Sequence, residues 1–164
     1  MSRLVELTAK IDAFFDRVEA RHGDDMRCQT GCSDCCHVRL TITEVEAAAI
    51  RSAVARWPAE RRAALADVGP PDRCAALDAA GRCRIYEVRP VVCRSHGVPI
   101  RLRDARSLPV IQSCHRNFTQ TEPDADCVLD QTTLSALVLA VDRATGGDGS
   151  RIDLAAVLGD VMAG

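Results

Sequence analysis

A mainly α-helical scaffold with a small, irregular β-hairpin region is the fold class that this 164-residue sequence predicts. Three observations lead there. Apolar residues recur three or four apart toward both ends of the chain, the period of an amphipathic helix. The middle breaks into short segments punctuated by Pro and Gly. Nine cysteines, far more than packing asks for, fall in the loops. The length suits a single domain. Only five residues are aromatic (Phe14, Phe15, Trp57, Tyr86 and Phe118), so the core has to be built mostly from Ala, Val, Leu and Ile.

The elements follow in order. Leu4, Leu7, Ile11, Phe14, Phe15 and Val18, with charges between them, define a helix over residues 3–21 that ends before His22-Gly23. A polar loop runs from Asp24 to His37. Thr43-Glu44-Val45-Glu46 has the capping-box pattern and opens a second helix reaching Trp57. Pro58 breaks it, but Pro is favoured in a first turn, so a further helix is expected over residues 59–68. Gly69-Pro70-Pro71 ends that one. Residues 75–77 and 84–86 read as a short hairpin turning at Ala79-Ala80-Gly81, and 98–103 with 108–112 as a second, because Val-Pro-Ile-Arg-Leu-Arg alternates. Asp130 caps a helix carrying Leu134, Leu137, Val138 and Val141. After the Gly146–Gly149 turn, Ser150 opens a last short helix with Ile152, Leu154, Val157, Leu158 and Val161.

Composition excludes several classes. The longest uninterrupted apolar run is Ala136 to Val141, far below the roughly 18 residues that span a membrane, so no membrane partner is expected. Charges from Arg3 to Arg21 leave no apolar stretch for a signal peptide, which places the protein in the cytoplasm. In that reducing compartment clustered cysteines point to metal binding or catalysis before disulfides. The net charge is −2, but residues 82–116 carry eight arginines against two acids, and residues 117–164 carry two basic and eight acidic side chains. Those arginines either balance a metal-thiolate centre or form a solvated basic face. A nucleic-acid groove is disfavoured, because stacking aromatics are nearly absent from it.

The densest motif is Cys28-Gln-Thr-Gly-Cys32-Ser-Asp-Cys35-Cys36. Thiolates two or three positions apart in a tight loop can point at one centre, and Gly31 permits the positive φ such a knuckle requires. Adjacent side chains usually diverge, so Cys35 and Cys36 are not expected to share one zinc ion. Cys74, Cys83 and Cys93 form a second group, with Cys114 as a further ligand. Cys127, alone in an acidic loop, reads as a buried or merely free thiol. His37, His96 and His115 read as non-ligands, since thiolates are in surplus. The candidate metal ligands are therefore Cys28, Cys32, Cys35, Cys36, Cys74, Cys83, Cys93 and Cys114. Eight thiolates allow two four-ligand centres, or one with ancillary thiols, and ligand type alone does not choose between zinc and iron–sulfur.

Cys-x-x-x-Cys-x-x-Cys-Cys, a helix opening at Thr43-Glu44, Cys74-x-x-Leu77, and Cys83-x-Ile85-Tyr86-Glu87-x-Arg89-Pro90-x-x-Cys93-Arg94 together resemble the YkgJ-type cysteine-cluster family (CxxCxxCC), whose members are described as zinc- or iron-chelating. The likeness covers residues 28–94. One departure is that three residues, not two, separate Cys28 from Cys32. The resemblance implies a metal centre on Cys32, Cys35, Cys36, Cys74, Cys83 and Cys93. A related cluster in flagellin lysine methylases implies iron–sulfur ahead of zinc.

Four functions compete. The leading expectation is a cytoplasmic protein holding an iron–sulfur cluster, of the [4Fe-4S] type, in a redox, sensing or accessory role, with or without a protein partner. A structural zinc-binding adaptor comes second and an iron–sulfur enzyme of unknown substrate third. No nucleophile–base pair, phosphate loop or cofactor fingerprint supports the enzyme, and Tyr86, Arg89 and Arg94 read more simply as packing, pairing or capping residues. Copper buffering comes last. Cys28-x3-Cys32-x2-Cys35 also has radical S-adenosylmethionine spacing, but the chain lacks the βα repeats that go with it. On this reading the metal region spans 24–116, flanked by the N-terminal helix 3–21 and C-terminal helices over 130–162.

Overall fold

The computed structural model describes residues 2–163, and among these the fold is mainly α with a small β region. Two compact units arise, each from segments distant in sequence. One comprises the chain up to Gln29 together with Val91–Val141; the other comprises Thr30–Pro90 and the residues from Asp142 onward.

In the first unit, α1 (Arg3–His22) buries Leu4, Leu7, Ile11 and Val18, the stripe its periodicity predicts. Ser2 caps it, its Oγ accepting from Val5 N–H at 3.3 Å. A short helix α2 (Val91–Arg94) packs against α1 and is tied to it by an Arg94–Asp12 ion pair of 2.6 Å. The second expected hairpin forms, in a shorter version: β1 (Ile100–Arg103) runs antiparallel to β2 (Pro109–Gln112). Two residues of β3 (Leu129–Asp130) add a parallel edge to β1, a pairing no local pattern announces. Val18, Met26, Val98 and Cys127 form the buried centre, flanked by Phe14, Phe15, Ile100, Phe118 and Leu129.

The second unit opens on β4 (Thr41–Thr43), which leads directly into α3 (Glu44–Val54). The predicted capping box is present: Glu46 Oε2 accepts from Thr43 N–H at 3.0 Å and from its hydroxyl at 2.8 Å. This helix stops at Val54 rather than Trp57. Trp57 precedes Pro58, and the residue before a proline is pushed out of the α region. Helix α4 (Ala59–Ala63) likewise falls short of residue 68. Arg84 donates to the carbonyls of Ala64 and Asp67, drawing off acceptors that a continuing helix would use itself.

Helix α5 (Gln131–Ala144) ends in this unit. Ser150 does not open a helix. Residues Arg151–Asp153 form β5, antiparallel to β4 with Ile42 opposite Ile152, and α6 (Leu154–Ala163) starts only after it. Asp142, fully buried, holds the turn between them. Its carboxylate accepts from Val45 N–H at the start of α3 (2.9 Å) and from Gly149 N–H (3.1 Å), while its carbonyl accepts from Gly147 N–H (3.0 Å). The core combines Ile42, Ala47, Ile50 and Val54 with Leu154, Val157 and Leu158, and Cys74 belongs to it.

Candidate metal centre

Of the eight predicted ligands, Cys32, Cys35, Cys36, Cys74 and Cys83 lie in the second unit, and Cys28, Cys93 and Cys114 in the first.

In the second unit, Gly31 has φ +91°, the conformation expected of the knuckle, and turns the chain into Cys32. Asp34–Cys36 makes one tight turn, closed by Cys36 N–H donating to Ser33 O at 2.8 Å. The folded backbone keeps adjacent side chains together: Cys35 and Cys36 Sγ stand 4.0 Å apart and do not diverge as an extended segment would make them. Cys74 N–H donates to Cys36 O at 2.7 Å, pinning the second cysteine segment to the first. The expected hairpin over residues 75–86 reduces to a single bridge, Leu77 to Cys83, around a turn with Gly81 at φ +75°. Beyond it, Tyr86–Val88 turns away instead of extending as a strand. A Cβ on Gly81 would stand 3.4 Å from Ser33 Oγ, so this turn lies on the knuckle bearing Cys32.

Electrostatics link these thiols. A hydrogen bond from the Cys36 thiol draws Cys35, which is exposed, down to about 7. Burial pushes Cys74 and Cys83 up. Charge on Cys35 disfavours charge on Cys74, and charge on Cys74 disfavours charge on Cys83. Arg39 and Arg84 act on Cys74 in the opposite sense. Arg39 Nη2 donates to Gly69 O at 3.1 Å, but Arg39 Nη1 and Arg73 Nε are buried with no hydrogen-bond partner. Buried donors without acceptors are costly, and they suit a centre that presents anionic sulfur. The donor set is thiolate, which zinc and iron–sulfur centres both accept.

In the first unit, Cys93 lies on α2, and Cys28 meets a residue the sequence does not advertise, Asn117. This side chain is 3% exposed and saturated: Oδ1 accepts from Arg27 N–H at 2.8 Å, while Nδ2 donates to Gly97 O at 2.7 Å and to Cys28 Sγ at 3.3 Å. Its own N–H donates to Cys114 O at 2.8 Å, so one amide residue links two predicted ligands. Gly97, at φ +102°, leaves the space that Cys28 Sγ fills; a Cβ there would lie 2.5 Å from the sulfur. The only signal in the sequence is that Asn117 follows Cys114 by three positions.

Most arginines of the basic stretch serve the backbone or pair with acids. Arg84 binds carbonyls, Arg89 donates to Tyr86 O at 3.1 Å, and Arg94 pairs with Asp12. Tyr86 is not a packing residue: it is 62% exposed, with the Arg89 guanidinium 4.1 Å from its ring centre. His37, His96 and His115 are exposed, and Cys127 is fully buried. No helix among the described residues is long and apolar enough to cross a membrane.

The model of the CxxCxxCC family, described as "Putative zinc- or iron-chelating domain", matches residues 27–128, well over half of the chain. That span takes in all eight predicted ligands. No curated protein and no solved structure matches.

Proposed function

We propose that this chain, which belongs to the CxxCxxCC family and so carries a zinc- or iron-chelating domain, holds a [4Fe-4S] cluster and serves as a cytoplasmic redox, sensing or accessory protein. In the second unit the ligands come from Cys32, Cys35, Cys36, Cys74 and Cys83; Cys28, Cys93 and Cys114 are the thiolates of the first.

The observation that carries the reading is how the second unit ties its cysteine segments together: Cys74 N–H donates to Cys36 O at 2.7 Å, and the turn carrying Cys83 bridges back to Leu77, while the buried Nη1 of Arg39 has no hydrogen-bond partner. A bound cluster supplies reversible one-electron transfer. Around it, Arg39, whose charge acts on Cys74, would present a donor to sulfur and offset its negative charge, and the Cys74 backbone N–H fixes that ligand against Cys36. Anaerobic purification followed by iron, sulfide and zinc analysis tests the reading. Iron and acid-labile sulfide in equal amounts are expected; colourless protein with stoichiometric zinc and no sulfide overturns it.

The 4.0 Å separation of Cys35 and Cys36 Sγ favours a second reading, a structural zinc module. With Zn–S bonds of about 2.3 Å, two thiolates of a tetrahedral site lie about 3.8 Å apart. Zinc removal should then unfold the segment from Cys32 to Cys83. Unchanged circular dichroism after chelation rules this reading out.

A further inference from the structure

The end of α1 and the acidic loop before β3, both in the first unit, bring together a different set of metal-binding groups. His22, Asp124 and Cys127 each offer one ligand atom, and the three atoms lie within 4.8 Å of one another. His22 Nε2 and Asp124 Oδ2 are already 3.3 Å apart. With bonds of about 2.0–2.3 Å, nitrogen, oxygen and sulfur ligands of a tetrahedral zinc ion sit about 3.3–3.6 Å apart. One edge of the site is therefore at its final length, and the others close with a shift of little more than about 1 Å.

The local backbone produces this grouping. Ala125–Cys127 is a single turn of 3-10 helix closed by Cys127 N–H donating to Asp124 O at 2.9 Å, which puts positions 124 and 127 on one side. Arg17 donates to Asp126 O at 3.2 Å and holds the turn against α1.

Two further observations point to a ligand. His22 Nε2, the nitrogen facing Asp124, is buried and has no hydrogen-bond partner, in a side chain only 13% exposed. Its other nitrogen, Nδ1, faces Asp25 Oδ2 at 3.7 Å. A carboxylate behind the second ring nitrogen is how metal-binding histidines are oriented. Phe118, with its ring centre 5.3 Å from that of His22, holds the imidazole in place.

Arg21 is the cation already present, with Nη1 3.9 Å from Cys127 Sγ and 3.8 Å from Asp124 Oδ2. Its charge is answered by Asp126, whose two oxygens both lie at 2.7 Å. Cys127 Sγ and the Asp124 carboxylate, which stands 3.3 Å from His22 Nε2, can therefore take a further ion, the thiol giving up its proton as the metal binds. We propose that His22, Asp124 and Cys127 form a separate site for a divalent transition ion, zinc by its donor set, with a fourth position open beside the exposed Asp124. His22 lies outside residues 27–128, so the family's chelating domain does not include it.

Zinc titration of the full chain, isolated with its principal metal centre in place, tests the proposal. Wild type should bind one zinc ion more than His22→Gln or Cys127→Ser, with the iron and sulfide content of all three unchanged. Cobalt(II) should give a thiolate charge-transfer band in wild type that Cys127→Ser lacks. Asp124→Asn, at an exposed position that folding tolerates, should weaken the extra zinc about tenfold or more. Equal zinc stoichiometry in wild type, His22→Gln and Cys127→Ser overturns the site, and so does unaltered zinc affinity in Asp124→Asn.

Discussion

Asn117 Nδ2 stands 3.3 Å from Cys28 Sγ and 2.7 Å from the Gly97 carbonyl oxygen, so one buried amide serves both a thiol and the backbone against which that thiol rests. Its Oδ1 accepts the Arg27 N–H, which leaves no polar atom of the side chain idle.

Replacing Asn117 by Ala strands the Arg27 N–H and the Gly97 carbonyl. An unsatisfied buried group costs about 1–3 kcal/mol and the Arg27 N–H, only partly buried, costs less than the full amount, so Asn117→Ala should destabilise the chain by about 2–4 kcal/mol. Urea unfolding measures this; a loss below about 0.5 kcal/mol would mean that water replaces the amide without cost.

Gly97→Ala meets two obstacles, a φ of +102° and Cys28 Sγ 2.5 Å from the new methyl. Strain and overpacking each cost about 1–3 kcal/mol. A clear fall in melting temperature is expected, together with faster alkylation of a displaced Cys28. A variant as stable as wild type would refute the close approach.

Cys35 is a thiol the fold makes acidic, drawn down to about 7 by Cys36. Because its pKa is lowered, the thiolate is populated above pH 7 and lost as pH falls through that value. In reduced, metal-free protein, iodoacetamide should modify Cys35 with a midpoint near pH 7, while Cys74 and Cys83, pushed the other way by burial, react only in more alkaline solution. Equal rates for the three at pH 7 would contradict the assignment.

Cys35→Ser should abolish metal retention at the centre of the second unit, whereas Cys127→Ser should keep its iron and sulfide. Elemental analysis after desalting decides. Loss of iron in Cys127→Ser would show that the ligand set is drawn wrongly.

The parts of this fold legible in the sequence are those whose causes are local. The α1 stripe depends on spacing alone, the start of α3 on Thr43 and Glu46 three residues apart, and the Gly81 turn on a residue that tolerates positive φ. Misreadings arise where a distant partner decides. Ser150-Arg151-Ile152-Asp153 looks like a capped helix start, but Ile152 pairs with Ile42, 110 residues away. Arg84 shortens α4 by taking carbonyls from another segment. At the candidate centre, cysteine spacing marked the chemistry. The approach of Cys35 to Cys36 depends on a 3-10 turn that no pattern of residue types announces, and Asn117 connects Cys28 with Cys114 only once the chain has folded.

The Ile42–Ile152 ladder sets an order on synthesis. Cys32 to Cys83 leave the ribosome well before Arg151–Asp153 and the Leu154, Val157 and Leu158 side chains that complete the core to which Cys74 belongs. Until those late residues arrive, Cys74 lacks the apolar packing that raises its thiol, and Val45 lacks the Asp142 carboxylate. A fragment cut at residues 27 and 128 would contain every predicted ligand and still miss Leu154, Val157 and Leu158, which close its core. The segment that defines the family is therefore shorter than the segment that folds.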